Sequence, residues 1–308
     1  MKICFMGSMD FAAIILEKLH QTYGVDLVVT QPDRPVGRKR KLKGTPVKDK
    51  ALELDLDIFQ PNNIKKDHQP IIDASFDFII VAAYGQMIPK NILDHGRFPA
   101  INVHASLLPK YRGGSPMHRA IINGDDFTGV SIMYMAMKMD AGPVLSQARL
   151  RIEDSDNVET IERKLADKGA KLLVQTMEAL LTSSVEPLGQ DEDKVTYAYH
   201  IKPEEKIIDI NQPARTCWNK VRGLYPWPIA ELMVKDHAFK IFKAGYLKEN
   251  LSERVGEIVR IDKHGVYIQT WDGVFVLKVL QLKGKKKMPI QAFMNGLGRH
   301  IFVLGETI

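Results

Sequence analysis

Cysteine is nearly absent: Cys4 and Cys217 are the only two among 308 residues, and neither lies in a C-x-x-C or Cys/His pattern. Two distant thiols make neither a disulfide framework nor a zinc site of ordinary spacing, and they fit a reducing, cytoplasmic setting. Long apolar runs are missing too. The best candidate, F-D-F-I-I-V-A-A-Y, is broken by Asp77 and falls well short of the roughly 18 residues that read as a membrane span. The opening M-K-I-C-F-M-G is too brief for a secretory signal. The glycine of F-M-G-S-M-D is followed by neither G-x-G-x-x-G nor G-x-x-x-x-G-K-[ST], so no nucleotide-phosphate loop is indicated. No G-x-S-x-G elbow is present to make Ser106 a hydrolase nucleophile. Internal repeats and low-complexity tracts are also lacking.

What is present is an ordinary globular composition, 45% apolar and 26% charged, with an uneven charge. Residues 201–308 hold 18 Lys/Arg against 11 Asp/Glu, whereas residues 1–200 hold 25 against 26. A basic C-terminal third fits a polyanionic partner, and it equally fits charge kept for solubility.

The first half alternates strands and helices. K-I-C-F-M-G, D-L-V-V-T-Q, F-D-F-I-I-V-A-A-Y-G and A-I-N-V-H-A read as strands, with a helix through F-A-A-I-I-L-E-K-L. Near-continuous apolar strands of this kind predict an α/β, Rossmann-like parallel sheet covered on both faces, which T-G-V-S-I-M-Y-M-A would extend. Ile161, Leu165, Leu172, Leu173, Met177 and Leu180 mark a helix over residues 156–181. The polar stretch S-V-E-P-L-G-Q-D-E-D-K then changes the pattern. After a helix near residues 215–223 come five short strands at close spacing, I-A-E-L-M-V to V-F-V-L-K-V-L, which predict a small antiparallel, OB-like barrel. The expected division is a catalytic domain over 1–189, a linker over 190–206 and the barrel over 207–308.

Within I-N-V-H-A-S-L-L-P, the period of two puts Asn102 and His104 on one face of a strand and Ile101 and Val103 on the other. Function in open α/β sheets gathers beyond the C-terminal strand ends, which is where this pair falls. An amide donor beside an imidazole suits the oxyanion and proton transfers of an acyl transfer. Asp140, in K-M-D-A-G, is the candidate to orient the imidazole, since Gly142 permits a tight loop. Taken alone, Asn-x-His also fits satisfied core polarity, and Asp140 also fits a turn.

The run I-N-V-H-A-S-L-L-P-K-Y-R-G-G-S-P, followed by D-D-F-T-G-V-S-I-M-Y-M and K-M-D-A-G, resembles the formyltransferase family that uses 10-formyltetrahydrofolate. T-Q-P-D-R-P-V-G-R-K-R-K-L and R-G-L-Y-P-W-P-I-A extend the likeness over essentially the whole chain, toward the branch that acts on charged initiator tRNA. The resemblance implies transfer of the formyl group to the amino group of methionyl-initiator tRNA for translation initiation. In it, Asn102, His104 and Asp140 form the catalytic trio. Ser106, Leu107, Leu108 and Pro109 contact the formyl-folate, and Tyr84, Gly85, Met87 and Ile88 form another wall of its pocket, largely through backbone. No metal is required. The family commonly reads Gly-Thr-Pro-(Asp/Glu)-Phe near the start, where this chain has Gly7, Ser8, Met9, Asp10 and Phe11.

Residues 34–43, R-P-V-G-R-K-R-K-L-K, carry six basic side chains, and Pro and Gly disfavour a helix there. A solvated loop is expected, one able to order on nucleic acid. The resemblance gives Arg38, Lys39, Arg40, Lys41 and Lys43 the tRNA acceptor arm. Lys283, Lys285, Lys286 and Lys287 form a second basic run. A small-molecule formyltransferase, acting on a nucleotide sugar or purine precursor, would share the trio without needing either basic run. A nucleic-acid-binding protein with a decayed folate site would not need the trio complete. A monomer without a membrane partner is expected.

Overall fold

The computed structural model describes residues 1–37 and 40–308, so Arg38 and Lys39 lie outside the described residues. The chain forms two compact units, one of residues 1–116, 127–151 and 162–199, the other of residues 117–126, 152–161 and 200–308.

The first unit is built on β1 (Ile3–Gly7), α1 (Asp10–Tyr23), β2 (Leu27–Val29), β3 (Arg34–Val36), β4 (Lys41–Lys43), α2 (Pro46–Glu53), β5 (Ile58–Phe59), α3 (Gln69–Ile72), β6 (Phe78–Ala82), α4 (Lys90–Leu93) and β7 (Ile101–His104). After α5 (Pro116–Ile122) come β8 (Phe127–Tyr134), β9 (Val144–Arg151) and α6 (Val158–Leu181). Seven strands make one sheet in the order β5-β2-β1-β6-β7-β8-β9. Every residue of β1 and β6 is buried, as both-face coverage requires. The order reverses between β1 and β6, so the loops after these two strands emerge side by side at the switch point. Ser8 Oγ donates to the Tyr84 carbonyl at 3.0 Å and ties the two loops together.

Three features differ from the sequence expectation. The sheet is mixed, because β8 runs antiparallel to β7, with His104 opposite Ser131, and β9 runs antiparallel to β8. A strand buried on both faces has the same apolar composition in either direction, so T-G-V-S-I-M-Y could not reveal its sense. The basic stretch, expected as a solvated loop, is exposed throughout its described residues but carries two short paired strands, β3 against β4 with Val36 opposite Lys41. Gly37 and Arg40, at φ 71° and 46°, take the left-handed backbone a tight reversal uses. Finally, residues 190–199, expected as part of a linker, belong to the first unit.

In the second unit, α7 (Ala214–Gly223) precedes β10 (Ala230–Val234), β11 (His237–Leu247), β12 (Ile258–Asp262), β13 (Gly265–Gln269), β14 (Val274–Leu282) and β15 (Met288–Pro289). The antiparallel path is β10-β11-β14-β13-β12, with β15 on β14. Alternate residues, among them Ala230, Leu232, Phe239, Ile241, Ile268, Phe275 and Leu277, fill one core with Cys217 and Val221 of α7. No helix among the described residues is long and apolar enough to cross a membrane.

Candidate active site

Asn102 and His104 share one face of β7 near its C-terminal end, 8% and 6% exposed. The Asn102 side chain makes no hydrogen bond among the described residues. The amide is not fully enclosed, so it stays free to bond water or a ligand that reaches this face of the sheet. His104 is engaged at both nitrogens. Nε2 lies 2.9 Å from the Tyr111 carbonyl, which can only accept, so Nε2 carries a proton. Nδ1 faces the Asp140 carboxylate, with Oδ2 at 3.7 Å.

Asp140 reaches His104 by an indirect route. Because β8 is antiparallel, Tyr134 lies opposite Ile101, at the far end of β7 from His104. The loop after Tyr134 therefore has to fold back to bring Asp140 within reach. Gly142 allows it: a Cβ there would sit 1.8 Å from the Tyr134 carbonyl oxygen. Asp140 itself adopts φ 49°, and its Oδ2 accepts from the Gly113 N–H at 2.8 Å.

The loop after β7 is braced from β8 and β9. Ser131 Oγ donates to the Ser106 carbonyl at 2.6 Å and accepts from the Leu108 N–H at 3.1 Å. Gln147 Nε2 donates to the Leu108 carbonyl at 2.8 Å. Ser106 Oγ donates to the Lys110 carbonyl at 2.6 Å. Leu107 lies over Gly129, where a Cβ would come within 2.4 Å of its Cδ2. Pro109 follows, and its carbonyl accepts from the Thr196 N–H at 3.4 Å. Of the other expected folate residues, Tyr84 and Ile88 pack into the apolar cluster with Ile79 and Val81. The Tyr84 carbonyl accepts from Gln31 Nε2 as well as from Ser8. Gly85, at φ 84°, and the 56% exposed Met87 instead line a cavity of about 520 Å³ together with Gln31, Arg34, Asn62 and Lys65.

Sequence reasoning passed over Ser131, Gln147, Tyr111, Arg112 and Gln190. Ser131 and Gln147 carry a faint signal, as polar residues set inside strands. Tyr111 acts through a backbone carbonyl, which leaves no mark on residue type.

The basic residues expected to meet nucleic acid take no part in this hydrogen-bond network. Arg40, Lys41 and Lys43 are exposed and form no ion pair among the described residues. Lys283, Lys285, Lys286 and Lys287 are exposed between β14 and β15. Lys287 Nζ stands 4.4 Å from the Phe242 ring centroid, and Trp227 is 73% exposed in the same unit. No cluster of three or more metal-ligating side chains occurs among the described residues.

Residues 1–177 match the family described as formyl transferase, and residues 200–298 match the formyl transferase C-terminal domain. A methionyl-tRNA formyltransferase of Listeria welshimeri is 44% identical over 303 residues, 97% of either chain. One from Streptococcus sanguinis is 44% identical over 311 residues, 100% of this chain and 99% of that one. In fold, the chain is similar to an N-formyltransferase of Helicobacter canadensis solved with folinic acid and dTDP-3-aminofucose. That likeness has a TM-score of 0.69 at 16% identity and covers 94% of this chain and 100% of the other. On the strength of matches to both domains and of near full-length relatives, the chain belongs to the formyl transferase family.

Proposed function

We propose that the protein transfers the formyl group of 10-formyltetrahydrofolate to the amino group of methionyl-initiator tRNA, in the cytoplasm and as a monomer. The observation that carries the reading is the open Asn102 amide beside a His104 paired with Asp140. The relatives named for methionyl-tRNA support the acceptor, and the exposed Arg40, Lys41 and Lys43, which form no ion pair among the described residues, support a polyanion.

The α-amino group has a reference pKa near 8, so a useful fraction is neutral at pH 7. Its nitrogen attacks the formyl carbon, and the carbonyl electrons move onto oxygen. The Asn102 amide donates to that oxyanion, an interaction worth about 3 kcal/mol in comparable sites. His104, its Nε2–H on the Tyr111 carbonyl and its Nδ1 facing Asp140, lies beside it to move the proton. As the carbon–N10 bond breaks, the proton lost by the amine passes to N10, with Asp140 and His104 orienting the transfer. The reaction needs neither a covalent enzyme intermediate nor a metal. In this reading Ser106, Leu107, Leu108 and Pro109 shape the donor pocket through their braced backbone, opposite Tyr84, Gly85, Met87 and Ile88. Arg38, Lys39, Arg40, Lys41 and Lys43 meet tRNA phosphates.

The test is one assay with three acceptors: charged methionyl-tRNA, free methionine and an amino nucleotide sugar, each with formyl-folate. Formylation of methionyl-tRNA alone is the expected result. Preference for the sugar, or no turnover on any acceptor, would overturn the proposal.

A further inference from the structure

We propose that Gln190, gripped by the buried Arg112, is a positioning residue that holds the Asp140 carboxylate against His104. The inference rests on the catalytic reading of Asp140 given above.

Asp140 sits at φ 49°, a conformation unfavourable for a non-glycine residue that persists only where neighbours hold it. The neighbours are identifiable. Gln190 Nε2 donates to the carbonyls of Asp140 and Gly142, each at 2.8 Å, so one amide clamps the backbone on either side of Ala141. Its other end is fixed as well, since Oε1 accepts from Arg112 Nε at 3.0 Å and Nη2 at 2.9 Å. A guanidinium cannot accept, so this pairing sets which way the amide faces and leaves the NH₂ toward the Asp140 loop.

Arg112 is 0% exposed, and its Nη1 has no partner among the described residues. An apolar side chain would fill such a place at lower cost, so the geometry it imposes is the reason to look for a role. Arg112 Nη2 also reaches Glu192 at 2.8 Å, and Glu192 accepts from Lys138 at 2.7 Å. The short strap 190–192 thus meets the 138–142 loop at Lys138, Asp140 and Gly142.

Residues 196–198, just beyond the strap, are in turn laddered onto the segment around Arg112. The Arg112 N–H donates to the Thr196 carbonyl at 2.9 Å, and the Ala198 N–H donates to the Arg112 carbonyl at 2.7 Å. Gly113, at φ 120°, makes room, since a Cβ there would lie 2.8 Å from the Ala198 oxygen. Tyr111 and Gly113, on either side of Arg112, are the residues that bond His104 and Asp140. Both members of the pair are therefore referenced to one three-residue segment, and Gln190 transmits that reference to the Asp140 backbone. Gln190 touches neither the carboxylate nor the imidazole, which is why it positions rather than catalyses.

The test is Gln190→Glu. It keeps the size and strengthens the bond to Arg112, but replaces the NH₂ donor with an acceptor facing two carbonyls. The expected result is a kcat reduced about tenfold or more, with KM for both substrates and the melting temperature close to wild type. Combined with Asp140→Asn, it should lower kcat no further than Asp140→Asn alone, because both changes act through one carboxylate. The His104 ring nitrogen resonances, read without turnover and usable if the variant is only marginally stable, should move in Gln190→Glu as they do in Asp140→Asn. Wild-type kcat in Gln190→Glu, a loss that multiplies with Asp140→Asn, or unmoved His104 resonances would overturn the inference while leaving the catalytic reading intact. A fully active Asp140→Asn would remove that reading, and this inference with it.

Discussion

Residues 111–113 and residues 40–43 are both short polar stretches of the same unit, and their polar groups are used in opposite ways. Around Arg112, carbonyls, N–H groups and side chains are bonded to one another, and the His104–Asp140 pair inherits a fixed geometry. On the hairpin, Arg40, Lys41 and Lys43 are exposed and make no ion pair among the described residues. Moving a proton and holding an oxyanion require sub-ångström placement, which internal bonds supply. Meeting phosphates requires charge that can be placed by the partner, which internal bonds would only neutralise. The Asn102 amide sharpens the contrast: it makes no hydrogen bond among the described residues, and in the proposed reading it is the group offered to substrate.

The sharpest break of this comparison is at that open amide and its imidazole. Asn102→Ala or His104→Ala should lower turnover by about a hundred- to a thousandfold, the usual cost of one oxyanion donor, with tRNA affinity unchanged in a filter-binding assay. Retained turnover in either would mean the open amide is incidental. Asp140→Asn should follow with a loss of about a hundredfold, since it keeps the shape and the Gly113 bond while dropping the charge. Near-normal single-turnover rates in that variant would make Asp140 a loop-former only.

The hairpin comes next. Replacing Arg40, Lys41 and Lys43 with Gln should raise KM for methionyl-tRNA while KM for formyl-folate stays put. The slope of log affinity against log salt should flatten by about 0.9 for each duplex phosphate that the variant no longer neutralises. An unchanged tRNA KM and salt slope would reduce the hairpin to a solvated bystander and leave polyanion binding to the C-terminal unit.

The smallest effect tests a charge that is committed yet serves stability alone. In the second unit Arg119 grips Glu205, with Nη2 and Oε2 3.1 Å apart. That hydrogen-bonded guanidinium holds the Glu205 carboxyl down at about 2 from its ordinary 4.5. The folded state then binds fewer protons than the unfolded one, so the stabilisation is present above pH 4.5 and is lost as pH falls toward about 2. Glu205→Gln should flatten the fall in melting temperature over that window without altering turnover at pH 7. An unaltered acid limb would assign the acid sensitivity to other carboxylates.

How much of this was legible in the chain follows the range of the interactions. Local periodicity determined β1, β6 and β7, the long α6 and the five closely spaced C-terminal strands, because burial of one face or both repeats along a strand or helix. Alternation alone put Asn102 and His104 on one face. The ordered motifs also pointed to the family. Strand direction was not legible: both-face burial erases the distinction, so the antiparallel β8 and the long return of Asp140 to His104 belong to the tertiary structure. Nor was the role of residues 190–199. Q-D-E-D-K reads as solvent-facing polarity, and only the fold shows the half-buried Gln190 and the exposed Glu192 both bonded to a guanidinium more than 70 residues away in sequence. A hydrogen bond is satisfied by whichever partner the fold delivers, and residue type records only that a partner is needed.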